Sequence, residues 1–498
     1  IRLPEWPWRI VHQLASDRDV QVWLVGGAVR DIFLDRPVHD WDFAVDRDAM
    51  MLARAVGDRL DGFFFPLDED RGTARVVLEG EQDSHVELDF SLLRGRALDE
   101  DLAERDFTIN AMALDPEGTL IDPLGGRGDL DARRIRATSP DVFRDDPVRL
   151  LRAARMEAEL GCTIEPQTEV WIERDAHLLP NSAPERVRDE FVRALALWGA
   201  RAFVCRLDAL HLLVHILPNV VSLKGVSQSY PHRFDVWRHT LHVLELVEAI
   251  VGTLTGGSPS GSSEALQAVP APAWGDLLRR LGQFSGAIQN HLAVDVCRPR
   301  DRMLLLKLAA LLHDVAKAET HSIDEHGCVT FDEHASLGGP MAASRMRALR
   351  FSRHEAQRVR TITEAHLRPA HLARREKVTR RAIYRYFRDT GDAGVDTVIL
   401  SLADHLATWG PNLREARWAR RLETGELLLH HYFERRDETV DPNVPVDGHD
   451  LMRELRVESG PEIGRLLDLL REAVAAGEVD TREETLELAR ASLGSSRA

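Results

Sequence analysis

At 498 residues the chain is long enough for several domains and an ample buried core. Apolar residues make up 44% of it, no apolar run reaches the length of a membrane span, and the opening residues lack a signal-peptide pattern, so a cytoplasmic protein free of membrane is expected. The net charge of −17 runs against nucleic-acid binding by the chain as a whole, so such a role needs its basic residues gathered on one face, and Cys162, Cys205, Cys297 and Cys328 lack the spacing of a zinc knuckle or a disulfide framework.

In chain order, residues 3–15 have the pattern of an amphipathic helix, 22–25 of a buried strand and 28–34 of a short helix. Gly26-Gly27 between strand and helix is a tight turn, one that lets backbone N–H groups approach a phosphate closely. Asp40 and Asp42 stand two apart ahead of the apolar Phe43-Ala44-Val45, so on a strand both carboxylates point to one side and can converge on one cation. Taken singly, these are a turn and a solvated strand end. Together and in this order they point to a Mg²⁺–nucleotide site.

The set Gly26, Gly27, Val29, Arg30, Asp31, Asp40 and Asp42 resembles the signature of the tRNA nucleotidyltransferase/poly(A) polymerase family, in its bacterial-type class of the polymerase-β-like superfamily. The resemblance implies an α+β head, a small mixed sheet with helices, in which Gly26, Gly27 and Arg30 meet the nucleotide and Asp40 and Asp42 hold Mg²⁺. After a helix at 49–60, strands are expected around 63–65, 74–78 and 85–92. Asp89 alternates with Leu88 and Phe90; it is either an outward-facing strand residue or, as the superfamily implies, a third catalytic carboxylate. The block Glu104-Arg-Asp-Phe-Thr-Ile-Asn-Ala resembles the family's Arg-Arg-Asp-Phe-Thr-Ile-Asn-Ala, which assigns Arg105, Asp106 and Asn110 to nucleotide binding; Glu104 stands where an Arg is usual.

Residues 143–155 contain Asp145-Asp146-Pro147 followed by Arg149, Arg152 and Arg155 at three-residue intervals, a basic stripe on a helix. Alone this is a solvated face. It resembles the family's Glu-Asp-x-x-Arg element, which implies that Asp146 and Arg149 read the incoming base and that Arg152 and Arg155 bind the nucleotide beside them; Asp145 replaces the usual Glu. A helical neck follows over 168–198.

A second constellation begins at His239, continues with His313-Asp314 after an apolar helix, and adds His334, His366 and Asp404. A lone His on such helices is a packed or capping residue. The ordered set resembles the HD metal-dependent phosphohydrolases, which implies one metal on His239, His313, Asp314 and Asp404 and a second held with His334 and His366, as Mg²⁺ or a divalent transition metal. Residues 252–275, rich in Gly, Ser, Pro and Ala, read as a flexible insertion, and 345–388 as a basic stretch interleaved with Tyr384, Tyr386 and Phe387 that suits RNA. Segments 446–452 and 460–480 resemble the family's C-terminal helices.

The expected division is a head (1–138), an all-α neck (139–215), an HD domain (216–410) and a helical tRNA-binding tail (411–498). The expected activity is template-independent addition of C and/or A (CCA, CC or A) to tRNA 3′ ends from ATP and CTP, with an HD phosphohydrolase activity. The alternatives are a poly(A) polymerase, or an HD phosphohydrolase whose N-terminal half mainly binds RNA.

Overall fold

Seven strands form the N-terminal sheet: β1 (Val22–Val25), β2 (Asp40–Val45), β3 (Phe63–Asp68), β4 (Thr73–Glu79), β5 (His85–Leu92), β6 (Ala113–Leu114) and β7 (Leu120–Ile121). Their order is β3-β4-β5-β2-β1-β6-β7, with β2 and β5 parallel and every other pair antiparallel. The period-two alternation of β2 sends Trp41 and Phe43 into the core and Asp40 and Asp42 to the other face. Helix α1 (Trp8–Ser16) covers the apolar side, where Phe43 stacks between Trp8 and Phe90 at centroid distances of 6.0 and 5.0 Å. Helix α2 (Gly27–Phe33) follows β1, and α3 (Ala49–Leu60) adds Leu52 and Val56 to the same core. This computed structural model describes residues 7–38, 40–79, 85–257 and 264–497, so the first helix begins at Trp8 and the earlier part of its expected span lies outside the described residues.

The chain forms two compact units, Ile1–Ala194 with Ala209–Leu212, and Leu195–Asp208 with Leu213–Ala498. Beyond its sheet the first unit carries the helices Val148–Leu160 and Pro166–Asp175; the continuous helical pattern expected over 168–198 is interrupted by a 3₁₀ stretch, Ala176–Asn181, that contains Pro180. The helix Pro184–Ala196 resumes beyond it.

The second unit is built on Val236–Thr255, Arg302–Leu312 and Ala393–Trp409, helices buried on nearly all sides because they are apolar nearly all round. The flexible insertion expected at 252–275 is corrected here. Residues 252–255 complete the first of these helices, with Gly256 at φ +76° as its stop, and the helices Glu264–Ala268 and Ala271–Leu281 bury Ala265 and Ala273; 258–263 lie outside the described residues. Alanine, part of what makes the stretch look like a linker, is the best helix former, and Pro270 sits at an N-cap, where it disrupts no ladder.

The RNA-facing aromatics expected in the basic stretch are also corrected. Tyr384, Tyr386 and Phe387 are buried, the Tyr386 hydroxyl donates to the Gly394 carbonyl at 2.7 Å, and Arg381 and Arg385 both pair with Glu472. The helical period that spaces these rings turns them into the core. At the C-terminal end, Gly448–Leu455, Pro461–Ala476 and Arg482–Arg497 share a small core of Val446, Leu451, Ile463, Leu466 and Leu470 among others. The helix Glu415–Phe433, which begins the expected tail, packs instead on Ala393–Trp409 and Arg368–Ala373.

Candidate active sites

The first site grows from the turn after β1. Gly26 has φ +76°, and a Cβ there would lie 2.9 Å from Arg105 Nη1 and 3.0 Å from Asp42 Oδ2, so only glycine leaves the cradle open. Gly27 starts α2, whose first N–H groups have no partner within the helix. The β2–β5 register sets Asp42 directly beside Asp89 and Asp40 beside Glu87. Asp89 thus belongs to the carboxylate group rather than to a solvated edge, and Arg75 on β4 donates to both its oxygens at 2.7 and 2.8 Å.

Burial, with the neighbouring charges of Asp89 and Asp40, pushes Asp42 up to about 6 against the pull of Arg105. This face is short of positive charge, which fits a divalent cation; a pair of carboxylates with substrate phosphates completing the shell is how Mg²⁺ is usually bound.

Around these carboxylates lies a cleft of about 700 Å³ lined by Gly26, Gly27, Arg30, Arg105, Asp106 and Asn110 together with the arginine stripe. Its side chains are already braced. Arg30 donates to Asp31 and, at 2.8 Å, to Asn110 Oδ1, while Asn110 donates to Asp106 Oδ1 at 3.0 Å. Arg152 donates to Asp106 at 3.1 Å and to Glu190 at 2.9 Å, and Arg155 donates to the other oxygen of Glu190. Burial alone would raise the Asp106 carboxyl, but Arg152 and the Asn110 hydrogen bond hold it below its usual range. Arg105 leans on Asp101 at 3.2 Å.

Arg149 lines the cleft and donates to the backbone carbonyl of Glu104 at 3.1 Å, a contact that does not depend on which side chain stands at 104. Asp146 is the exception. It is absent from the cleft lining and is held by both ends of Arg186 at 3.0 and 2.7 Å. Arg186, Glu190, Asp101 and Arg75 were missed by sequence reasoning; the signal for Glu190 was the arginine stripe itself, which needs a buried acid opposite it.

The second site gathers every residue expected of it, in a different grouping. Donor atoms of His239, His313 and Asp404 lie within 4.8 Å of one another, and so do those of Asp314, His334 and His366. Asp314 faces both groups: its Oδ2 is 3.1 Å from His313 Nε2 and 3.7 Å from His239 Nε2, its Oδ1 3.5 Å from His334 Nε2 and 3.9 Å from His366 Nε2.

Three of the rings are fixed in one tautomer. The Nδ1–H of His313, His334 and His366 donates to the carbonyls of Ala310, Phe331 and Thr363 at 2.7–2.8 Å, leaving each Nε2 lone pair free. His239 Nε2 and His313 Nε2 are buried and lie 3.1 Å from carboxylates without hydrogen-bond geometry. Lone pairs and carboxylates converging on common points fit bound divalent ions. Burial favours the neutral ring of His366, down to about 4.

The fold and these sites define a polymerase-type nucleotidyltransferase head joined to an HD domain. Family profiles match at residues 22–136 (Poly A polymerase head domain), 161–223 (probable RNA and SrmB-binding site of polymerase A) and 275–409 (HD domain). The chain is 33% identical over 468 residues to the A-adding tRNA nucleotidyltransferase of Deinococcus radiodurans, covering 93% of each, and 32% identical to the CC-adding tRNA nucleotidyltransferase of Thermus thermophilus, covering 92% of this chain and 91% of that one. Its fold is that of a CCA-adding enzyme solved with ATP, at a TM-score of 0.61 and 21% identity over 98% of this chain and 94% of that one. The chain belongs to the tRNA nucleotidyltransferase family. No helix among the described residues is long and apolar enough to cross a membrane.

Proposed function

We propose that this nucleotidyltransferase adds C, A or both to the 3′ end of tRNA, drawing on CTP and ATP. The observation that carries this reading is the row Asp40, Asp42 and Asp89, brought together by β2–β5 pairing over the Gly26 cradle, with Asp42 raised to about 6 by burial and by the neighbouring carboxylates. Asp40 and Asp42 would hold Mg²⁺, which when bound acidifies the primer 3′-hydroxyl and neutralises the departing pyrophosphate.

The chain's own groups do the rest. The Gly27 amide, left open by the absent side chain of Gly26, and Arg105 receive the triphosphate, and Asp106, fixed by Arg152 and Asn110, accepts from the ribose. Arg149 donates to a ring acceptor of the base, and Asp146 accepts from its exocyclic amine once released from Arg186. In this reading residues 1–138 are the head, 139–215 the neck, 216–410 the HD body and 411–498 the tail that grips tRNA. Supplying truncated tRNAs with each labelled nucleotide in turn identifies the product; no incorporation onto any tRNA or RNA primer would overturn the reading, and incorporation of A alone in long runs would make the chain a poly(A) polymerase.

A second activity rests on the locked histidine tautomers: the HD site is a metal-dependent phosphohydrolase. Asp42→Ala is expected to abolish incorporation and leave phosphoester hydrolysis, and Asp314→Ala to do the reverse.

A further inference from the structure

The HD cage opens into a cavity of about 800 Å³, more than one phosphate needs, and its far wall is basic. The carboxylates lining it are Asp314 and Asp404, both committed to the histidine cage; the cations are Lys317, Arg374, Arg417, Arg420 and Arg421. Two of these have structural duties. Lys317 donates to Gln228 at 2.8 Å and contacts Asp314, while Arg420 donates to the carbonyls of Ala373, Arg375 and Glu376 and so ties the helix Glu415–Phe433 to Arg368–Ala373.

The other three are different. No carboxylate pairs with Arg374, Arg417 or Arg421 among the described residues, although Arg417 lies over the Trp409 ring at 4.9 Å, and Arg421 Nη1 is shut off from solvent without a hydrogen-bond partner. His405 Nε2, on the same wall, is likewise buried and unpartnered, its ring lying parallel to Trp418 at 6.1 Å. A guanidinium N–H left unmade in a shielded place is costly, and a phosphate oxygen is the acceptor its fork matches best. At the mouth, Tyr230 is 71% exposed with its ring edge-on to Trp409 at 5.9 Å, an apolar face for a base.

We propose that Arg421, with Arg374 and Arg417, forms an anion subsite beside the histidine cage, so that the HD cavity takes phosphoesters carrying a second phosphate group. The inference rests on the phosphohydrolase reading. The phosphate at the cage is the one cleaved: water oxygen forms a bond to phosphorus, the bond from phosphorus to the sugar oxygen breaks, and a water proton ends on the released hydroxyl. The second phosphate stays intact on the arginines. A free nucleoside bisphosphate and an oligonucleotide with a 3′-terminal phosphate, whose internucleotide phosphate serves as the second, share this chemistry.

The test uses the full chain with added Mn²⁺, comparing kcat/KM for adenosine 3′-monophosphate, adenosine 3′,5′-bisphosphate and a diadenylate 3′-phosphate. The expected preference for a second phosphate is tenfold or more, and Arg421→Gln removes it, as does Arg374→Gln at an exposed position where folding is not at stake. Whichever two-phosphate substrate is preferred names the source. Equal losses on mono- and bisphosphate, or no preference in the unaltered chain, overturn the subsite.

If no phosphoester is cleaved, the phosphohydrolase reading fails, and calorimetric titration with adenosine 3′,5′-bisphosphate judges the subsite alone. Loss of one binding site in Arg421→Gln supports it, and unchanged stoichiometry overturns it.

Discussion

Asp146 and Arg149 were expected to act as a pair, yet one lines the cleft and the other is clasped by Arg186. Two substitutions separate their roles. Arg149→Ala should cut discrimination against UTP and GTP by about tenfold to a hundredfold, the range for one good base contact, beyond any general fall in rate. Arg186→Ala frees Asp146 and should change base preference while leaving triphosphate affinity near that of the parent chain. Steady-state kcat/KM for all four nucleotides on one truncated tRNA checks both, and equal losses across the four would make Arg149 a phosphate or scaffold contact.

Buried histidines away from the metal cage make a separate prediction. Burial lowers His242 and His431 to about 4, the latter despite an Nδ1 contact of 2.8 Å to Thr439. Because the unfolded chain takes up these protons near pH 6.5 and the folded one does not, their stabilisation is present above that value and is lost as pH falls towards 4, by at most about 2 kcal/mol each at pH 5. Urea midpoints should therefore drop between pH 7.5 and 5, and His431→Gln should flatten the drop.

At the scale of elements, the turn after β1 is the part most sensitive to a single methyl group. Gly26→Ala forces a side chain into φ +76° and into contact with Arg105 and Asp42, so KM for nucleotide should rise at least tenfold while the strain costs about 1–2 kcal/mol of stability. Nucleotide titration alongside thermal unfolding distinguishes the two effects. Strand β1, helix α3 and the Asp40/Asp42 strand were all legible because period and punctuation agree there: a four-residue apolar run, a glycine turn and alternation.

What escaped depends on partners far away in sequence. The place of Asp89 beside Asp42 is decided by β2–β5 register, the helix Ala271–Leu281 by packing on Glu415–Phe433, and the helix Arg380–Thr390 that carries Tyr386 by packing on Pro461–Ala476. The histidine cage was legible as a set but not as a grouping, since only side-chain geometry reveals that Asp314 offers one oxygen to each trio.

For the whole molecule, ion pairing narrows where a polyanionic partner could be held. Much of the basic stretch at 345–388 is neutralised within the second unit, as where Arg358 meets Asp392 and Asp396, so the proposed grip on tRNA rests on other cations. A cut after Asn412 would remove the buried Trp418, Leu422 and Leu428 and damage the HD body, so the tail is tested by deleting residues 442–498, which keep a core of their own, beside a Glu472→Gln chain that accounts for the lost pairing of Arg381 and Arg385. This deletion should weaken tRNA binding and reduce the log–log salt slope by about 0.7–0.9 for every phosphate that the tail neutralises. Unchanged affinity and slope would make the tail a packing element.

The parallel seam between β2 and β5 also bears on how this protein tolerates change over generations. Slipping β2 by one residue would turn Trp41 and Phe43 towards solvent and carry Asp42 away from Asp89 in the same movement. A shift of register cannot remove the proposed chemistry here while keeping the core, or the reverse, because the same six letters place both. Deletions or insertions within residues 40–45 should therefore be purged for insolubility before activity is ever tried. Drift that leaves a folded but silent enzyme should arise instead by point changes at Asp40 and Asp42, the positions of β2 least buried in that core.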